Sequence, residues 1–333
     1  MTVLAEPIQD IAHLGFVELF SPRPEDSEGY FTELLGMAVV RRDGASAYLR
    51  GFGDYASYTL KLTGARQPGI GAIGWRAVSE AALERRVAAI EAAGLGRGWQ
   101  NGDFAHGRSY AFSDPDGHAM EIYHAQARYE APAALRSSLR NQPMKTPGHG
   151  VGVRRLDHVA LLCRDVPDNR GFAEETLGLR LREQVRYEGG AVEVGSWLSP
   201  NAVHHELAYV VDKRGTGGRL HHLGLWVDNR DDVLRAADLF REAGVFLEAG
   251  PSKHNNSQAF YVYSYEPGGN RIEIYTGGFL VLDPDFEPVI WDETTRGGGV
   301  HWGAALPASF LDYATPDEGA APPEEGPPAF DPR

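Results

Sequence analysis

Cysteine is almost absent from this chain, because Cys163 stands alone among 333 residues. One thiol cannot form an internal disulfide, so a disulfide framework is excluded and a reducing cytoplasm is favoured. No apolar run approaches the roughly 18 residues of a membrane-spanning helix, and the first residues, MTVLAEPIQD, lack a secretory signal pattern. Runs of Lys and Arg are also missing, and the formal net charge of −14 argues against nucleic acid and anionic membranes as partners.

The chain does contain an internal repeat. Each half reads as strand, turn, short helix and strands, then as a short strand followed by a helix, and it closes on two strands around an acidic-Pro-x-Gly turn. Three pairs of segments match: residues 10–40 with 154–183, 72–95 with 222–245, and 110–124 with 261–276. The pattern predicts an α+β fold in which antiparallel-rich sheets carry helices on one face.

The repeat also predicts how the chain is divided. We expect an N-terminal module at residues 1–130, a linker at 131–153, a C-terminal module at 154–290 and an extension at 291–333. The linker is rich in Pro and Gly, which favour turns over regular elements. From Pro307 the extension is dominated by Pro, Ala, Asp and Glu, so we expect this tail to be mobile or draped over the surface.

Three predicted strands of the second half each offer a side chain that can bind a metal. They contain His158, the pair His221 and His222, and Glu273. Successive side chains of a strand point to opposite faces. Glu273 lies between two isoleucines, so it is assigned to the polar face that borders a cavity. By the same alternation His222 faces the cavity, and His221 belongs to the packed face.

Two histidines and one carboxylate form a facial triad that leaves three adjacent positions open on Fe(II) or Mn(II), enough for a bidentate substrate and dioxygen. The first half serves as an internal control. It has His13 and Glu121 at the positions that we align with His158 and Glu273, but Ala72 where the triad needs a histidine. We therefore predict that the N-terminal module is a structural copy without a metal.

The segment HNNSQAFYVYSYEPGGNRIEIY, residues 254–275, carries a resemblance to a known family. It is similar to the signature of the type I extradiol ring-cleaving dioxygenases of the vicinal oxygen chelate superfamily, such as catechol 2,3-dioxygenase and homoprotocatechuate 2,3-dioxygenase. The resemblance extends over about residues 8–303. It implies two tandem modules of paired βαβββ units with cupped sheets, Fe(II) with Mn(II) as the alternative, a catecholic substrate with O₂, and a homo-oligomer, typically a tetramer.

The resemblance also implies a role for individual residues. His205 takes the position of the acid/base histidine, because an imidazole can both remove and deliver a proton near neutral pH. The remaining implied residues are His158, His222 and Glu273 as metal ligands, His254 and Tyr263 as hydrogen-bonding catalytic residues, and Trp197 and Arg296 as substrate contacts. The neighbouring histidines His204 and His221 are expected to be structural.

One departure from the family concerns substrate charge. Homoprotocatechuate-type enzymes use arginines to hold a substrate carboxylate, where this chain has Ala249 and a glycine run at residues 297–299, so that only Arg296 is available. Neutral catechols are therefore the expected substrates. The alternatives are cleavage of a hydroquinone or aminophenol at the same site, a metalloisomerase of the glyoxalase type, and a non-catalytic small-molecule binding protein on the same scaffold.

Overall fold

The computed structural model describes residues 9–316, apart from the side chains of residues 296–298. Each half of the chain builds one β-sheet. The strands of the first sheet are β1 (Ile11–Ser21), β2 (Ala38–Asp43), β3 (Ser46–Arg50), β4 (Leu60–Gly64), β5 (Gly69–Ala77), β6 (Gly96–Gln100), β7 (Ser109–Ser113) and β8 (Ala119–Tyr123). Those of the second are β9 (Arg155–Cys163), β10 (Arg180–Tyr187), β11 (Val192–Ser199), β12 (Leu207–Val211), β13 (Arg219–Trp226), β14 (Leu247–His254), β15 (Phe260–Tyr265), β16 (Arg271–Thr276), β17 (Val289–Trp291) and β18 (Val300–Trp302).

The two sheets repeat the same topology. The first has the order β2-β3-β4-β1-β5-β8-β7-β6, and the second has the order β10-β11-β12-β9-β13-β16-β15-β14 between its edge strands β17 and β18. In both, the first strand of the half lies parallel to its fourth strand and antiparallel to its fifth, so β1 joins β4 to β5 as β9 joins β12 to β13. The predicted α+β architecture and its internal repeat are confirmed.

Helices pack on one face of each sheet and leave the other face free to form a cup. They are α1 (Pro24–Gly29), α2 (Glu80–Ala92), α3 (Val166–Phe172), α4 (Arg230–Glu242) and α5 (Ala308–Asp312), with π-helical turns at Tyr30–Leu34 and Ala173–Leu177 and 3₁₀ turns at Ala133–Leu135 and Glu293–Gly298. A reciprocal capping box between Asn229 and Asp232 begins α4. The same helix buries Val233 and Phe240 in the core, which also contains Ile272 and Ile274 of β16. Glu273, which lies between these isoleucines, therefore points to the opposite face.

The halves share one apolar core and are also joined by buried polar contacts. The backbone amide of Leu14 donates to the carboxylate of Glu206 at 2.9 Å, and the hydroxyl groups of Tyr30 and Ser264 are 2.8 Å apart. Burial raises the pKa of Glu206 to about 7. No helix among residues 9–316 is long and apolar enough to cross a membrane.

The end of the described chain returns to the second sheet. Strands β17 and β18 pair with β10 and β14. Phe310, Tyr313 and Thr315 are all less than one-tenth exposed, so residues 308–316 pack into the fold, and the expectation of a mobile or draped tail is wrong for this part. The tail from residue 317 onward lies outside the described residues.

Candidate active site

Three neighbouring strands bring the predicted ligands together. His158 comes from β9, His222 from β13 and Glu273 from β16, and all three are buried. The Nε2 atoms of the two histidines are 3.0 Å apart, and Glu273 Oε2 lies 2.8 Å from His158 Nε2 and 3.3 Å from His222 Nε2. One ligand atom from each residue falls within a 4.8 Å cluster, which is the geometry that a single metal ion needs.

Gly224 makes this convergence possible. It pairs with His158 on one side of β13 and with Glu273 on the other. A Cβ atom at this position would lie 2.2 Å from the His158 ring, closer than any side chain can approach. A glycine inside a strand marks such a close approach. A lone glycine two residues after His222 carries no such signal in the sequence, because the close approach depends on the strands on both sides.

The outer nitrogen of His158 has a carboxylate partner. Nδ1 of His158 lies 2.8 Å from Asp157 Oδ2, and Asp157 is itself paired with Arg155 at 2.7 Å. A metal-binding histidine commonly donates its second N–H to a carboxylate, which fixes the ring and turns the other nitrogen towards the metal. His158 meets this requirement with Nε2 directed at Glu273.

The electrostatics of the triad favour a cation between its members. Burial by itself lowers the pKa of His158, but hydrogen bonds to Asp157 and Glu273 outweigh it and raise that pKa to about 9. Burial would raise the pKa of Glu273, yet the hydrogen bond from His158 and the contacts with His222 and His254 hold it well below its usual range. The carboxylate is thus ionised. In the absence of metal, a proton on His158 balances its negative charge, and a bound divalent cation would take over this role. The donor set fits such a metal ion.

The strict alternation expected for β13 does not hold at its histidine pair. The pairing of β13 with β9 shifts register between Leu220 and His222, so an irregularity lies at His221. His221 and His222 both line the same cavity, and their Nδ1 atoms are 2.6 Å apart. The prediction that His221 belongs to the packed face is therefore wrong, because the irregularity removes the alternation on which it relied.

A cavity of about 390 Å³ opens above the triad. Trp197 lines it, as the sequence analysis expects of a substrate contact, whereas the side chain of Arg296 lies outside the described residues. Lys213 also lines the cavity, and sequence reasoning missed it because an isolated lysine in a polar turn carries no signal. Its apolar wall includes Val185, Val194, Val210, Leu306, Phe310 and Leu311.

His205 lies in this cavity against the metal-ligand cluster. Its ring centroid is 4.2 Å from that of His158, and its Nδ1 is 2.8 Å from Nδ1 of His204. Burial lowers the pKa of His205 well below 6.5, and electrostatic interaction with the neighbouring His158 acts in the same direction. His205 is therefore neutral at physiological pH and can accept a proton. Nε2 of His204 is 3.4 Å from Glu183 Oε1, an ion-pair distance without good hydrogen-bond geometry.

His254 and Tyr263 meet on the other side of Glu273. His254 Nε2 lies 3.2 Å from the Tyr263 hydroxyl and 3.3 Å from Glu273 Oε1. Burial raises the pKa of Tyr263 well above 10, and the charge of Glu273 adds to the effect. The phenol therefore keeps its hydrogen and remains a donor. All the site residues predicted from the sequence whose side chains are described thus line one cavity.

The N-terminal cup differs from what the sequence alignment of the halves suggested. Gly74 pairs with Glu121 and Phe16, just as Gly224 pairs with Glu273 and His158. Phe16, and not His13, is thus the counterpart of His158, and the aligned histidine is three residues out of register. Its Nδ1 instead lies 2.8 Å from the carbonyl oxygen of Leu14.

Aromatic rings occupy the space where the second half has its metal-ligand cluster. The ring of His106 lies 4.9 Å from that of Phe16, 4.3 Å from that of Tyr123 and 4.6 Å from that of Tyr58. No second cluster of three metal-binding side chains occurs among residues 9–316. The N-terminal module without a metal stays a prediction.

Comparison with known proteins identifies the family. A family model described as the glyoxalase/bleomycin resistance protein/dioxygenase superfamily matches residues 11–122 and 155–274. The chain belongs to this superfamily. The match covers both halves, in agreement with the repeated topology of the two sheets.

Within this superfamily, the chain is similar to ring-cleaving dioxygenases. The metapyrocatechase of Geobacillus stearothermophilus is 46% identical over 314 residues, which cover 93% of this chain and 95% of the relative. The manganese-dependent 2,3-dihydroxybiphenyl 1,2-dioxygenase of Geobacillus genomosp. 3 is 33% identical over 88% of this chain and 94% of the relative. The solved homoprotocatechuate 2,3-dioxygenase of Arthrobacter globiformis superposes with a TM-score of 0.81 at 25% identity, covering 93% of this chain and 94% of the other. The expected class, an extradiol dioxygenase with a vicinal oxygen chelate fold, is confirmed by these relatives.

Proposed function

We propose that this chain is an Fe(II)-dependent dioxygenase that cleaves a catechol ring beside its diol, in the breakdown of aromatic compounds in the cytoplasm. The observation that carries the proposal is the buried cluster of His158, His222 and Glu273 at the base of a largely apolar cavity. The 46% identity to a metapyrocatechase supports the reaction. Mn(II) is the alternative metal, since a relative at 33% identity is named as manganese-dependent.

Each residue around the metal site has a chemical task in this reaction. Bound Fe(II) supplies a Lewis acid for the two catechol oxygens and a redox-active centre for dioxygen. Neutral His205 takes a proton from the catechol and returns it later in the reaction. Tyr263 donates a hydrogen bond to a catechol oxygen, and His254, which shares its contacts with Glu273, stabilises negative charge that develops on oxygen.

The alternatives differ in what they require of the site. A small-molecule binding protein on this scaffold has no use for two buried histidines around an ionised carboxylate, and burying such groups costs free energy unless they are paired or bind a metal. A hydroquinone or aminophenol could occupy the same metal site and remains the second candidate. A homo-oligomer, typically a tetramer in this family, remains a prediction from the resemblance.

Metal loading tests the proposal directly. We expect one equivalent of Fe(II) per chain after anaerobic loading, because the complete triad found among residues 9–316 lies in the C-terminal half. Loading should release close to one proton per metal near pH 8, since the pKa of His158 is raised to about 9 without metal. Elemental analysis, proton release in weak buffer and O₂ uptake with catechol provide the measurements. A second tightly bound equivalent, or no O₂ uptake with catechol, hydroquinone or aminophenol, would contradict the proposal.

Neutral catechols should be better substrates than carboxylated ones. Ala249 is buried beside Tyr263 and Phe310, where an arginine would be needed to reach a carboxylate. Among the described side chains that line the cavity, Lys213 is the one with a positive charge. Its side chain is 57% exposed and lies 3.7 Å from Asp312, so it would stabilise a buried anion only weakly. A buried carboxylate without a cationic partner costs several kcal/mol.

The comparison is made on kcat/KM for catechol, 4-methylcatechol and 3,4-dihydroxyphenylacetate. We expect the two neutral compounds to be preferred. A preference of about ten-fold or more for the acid, equivalent to about 1.4 kcal/mol, would refute this expectation. The variants Arg296→Ala and Lys213→Ala would then show which cation holds the carboxylate, because only that substitution would remove the preference.

A further inference from the structure

His221, the histidine beside the metal-ligand residue His222, has a partner for each ring nitrogen. Its Nε2 lies 2.7 Å from the carbonyl oxygen of Phe310, and its Nδ1 lies 2.6 Å from Nδ1 of His222. A carbonyl oxygen can only accept, so the hydrogen of this first contact belongs to Nε2 of His221. A buried ring with both nitrogens engaged has a fixed orientation.

This arrangement determines which nitrogen of His222 is free. A neutral imidazole has one donor and one acceptor. With Nε2 of His221 donating, its Nδ1 accepts, and the hydrogen between the two rings belongs to Nδ1 of His222. Nε2 of His222 is then the nitrogen with the lone pair, and it is this atom that faces Glu273.

The Phe310 carbonyl is held in place by its own segment, residues 308–316. The guanidinium group of Arg271 donates to the carbonyl oxygens of Ser309 and Tyr313 at 3.1 and 3.0 Å, and it is fully buried against Glu248. Thr315 exchanges backbone hydrogen bonds of 2.6 and 2.9 Å with Leu220. The segment is thus anchored to β16 two residues before Glu273, and to β13 two residues before His222.

The same segment lines the cavity. The Phe310 ring packs edge-on against His221 at 4.7 Å and against Tyr263 at 4.8 Å between ring centroids. Leu306 and Leu311 line the cavity beside it. One short stretch of chain therefore both lines the cavity and supplies the carbonyl oxygen that accepts the first hydrogen bond of the chain leading to His222.

We propose that His221 is a positioning residue that couples the C-terminal segment 308–316 to the metal ligand His222. The Phe310 carbonyl fixes His221, and His221 fixes the ring and the free nitrogen of His222. This role goes beyond the space-filling one expected from the sequence, and it rests on the proposed metal site. Hydrogen-bond partners of metal-binding histidines typically contribute 10- to 100-fold to metal affinity.

Three variants separate the two hydrogen bonds of His221. In His221→Asn the side-chain oxygen can lie where Nδ1 lies and accept from His222, but the reach to Phe310 is lost. In His221→Gln the longer side chain can still donate to Phe310, but the acceptor for His222 is lost. In His221→Phe the ring remains and both hydrogen bonds are lost.

Fe(II) affinity should depend on the hydrogen bond between His221 and His222, whereas proteolysis should depend on the hydrogen bond between His221 and Phe310. By anaerobic chelator competition, we expect the Fe(II) affinity of the Gln and Phe variants to fall by roughly 10- to 100-fold, and that of the Asn variant to stay within the same order of magnitude as wild type. By limited proteolysis within residues 308–316, we expect the Asn and Phe variants to be cleaved faster and the Gln variant to resemble wild type. His204→Phe, at a buried histidine that does not contact His222, is the matched control for both.

If His221 only fills space in the core, the three variants should behave differently from this expectation. All three variants would then lose metal affinity in proportion to the stability of the metal-free protein, or would keep it, and either result overturns the proposal. If one variant does not fold, the other two still differ in the bond they retain. Failure of the wild-type protein to bind Fe(II) or Mn(II) would instead contradict the proposed function, so the two failures are distinguishable.

Discussion

Replacing His222 with alanine is expected to abolish metal retention and ring cleavage while leaving the fold intact. The substitution removes one of three ligand atoms from a cluster in which the Nε2 atoms of His158 and His222 are 3.0 Å apart. Losing a group that only supports a ligand costs roughly 10- to 100-fold in metal affinity, so we expect losing the ligand itself to cost more. Metal content after gel filtration and the metal dissociation constant measure the effect.

His13→Ala is the matched control, because sequence alignment pairs His13 with His158 but the strand register places Phe16 there. This variant should retain one equivalent of metal. A His222→Ala protein that still holds a full equivalent after gel filtration would show that the assigned triad is wrong. A loss of metal in His13→Ala, with the fold preserved, would mean that the N-terminal half contributes to the site.

Sequence alone predicted the triad because strand periodicity and the family signature agree in the second half. Glu273 lies between two buried isoleucines, so simple alternation assigned it to the cavity face. The same reasoning failed at His221, because one register shift in β13 brings two consecutive side chains into one cavity. Such an irregularity depends on how neighbouring strands pair, which a single strand's pattern does not contain.

The first half shows a second limit of sequence reasoning. The segments around His13 and His158 both begin a strand with a histidine after a polar start, and alignment by residue type matched them. The register of β1 with β5 instead matches Phe16 to His158. A three-residue shift is odd and exchanges the two faces of a strand. Residue type did not reveal it here, because apolar side chains occupy both faces of β1.

Long-range contacts account for the rest of what sequence did not predict. The carbonyl oxygen of Phe310 reaches His221 across 89 residues of chain. Composition after Pro307 suggested only a mobile or draped tail, since a hydrogen bond to a backbone carbonyl leaves no trace in residue type. The role of Gly224 likewise depends on the partner strands that approach it on both sides.

Replacing His205 with phenylalanine is expected to lower kcat by roughly 10²- to 10⁴-fold, the usual contribution of a positioned acid/base group. That loss corresponds to about 3–5 kcal/mol in the barrier. The phenylalanine ring keeps the contact with His158, whose ring centroid lies 4.2 Å away. It removes the nitrogen that we propose takes the catechol proton. Metal affinity should be unchanged, because His205 is not in the ligand cluster.

The pH profile separates a base from a space-filling ring. Burial holds the pKa of His205 well below 6.5, so this group is already unprotonated at neutral pH, and its contribution to kcat/KM is lost only as pH falls through that low pKa. In His205→Phe the residual activity should instead rise with pH, because hydroxide and spontaneously ionised catechol replace the missing base. The exposed His149→Ala is the control and should follow the wild-type profile. Unchanged kcat in His205→Phe with full metal content would assign proton transfer to another group, and His254 would be the next residue to replace, since it lies 3.3 Å from Glu273.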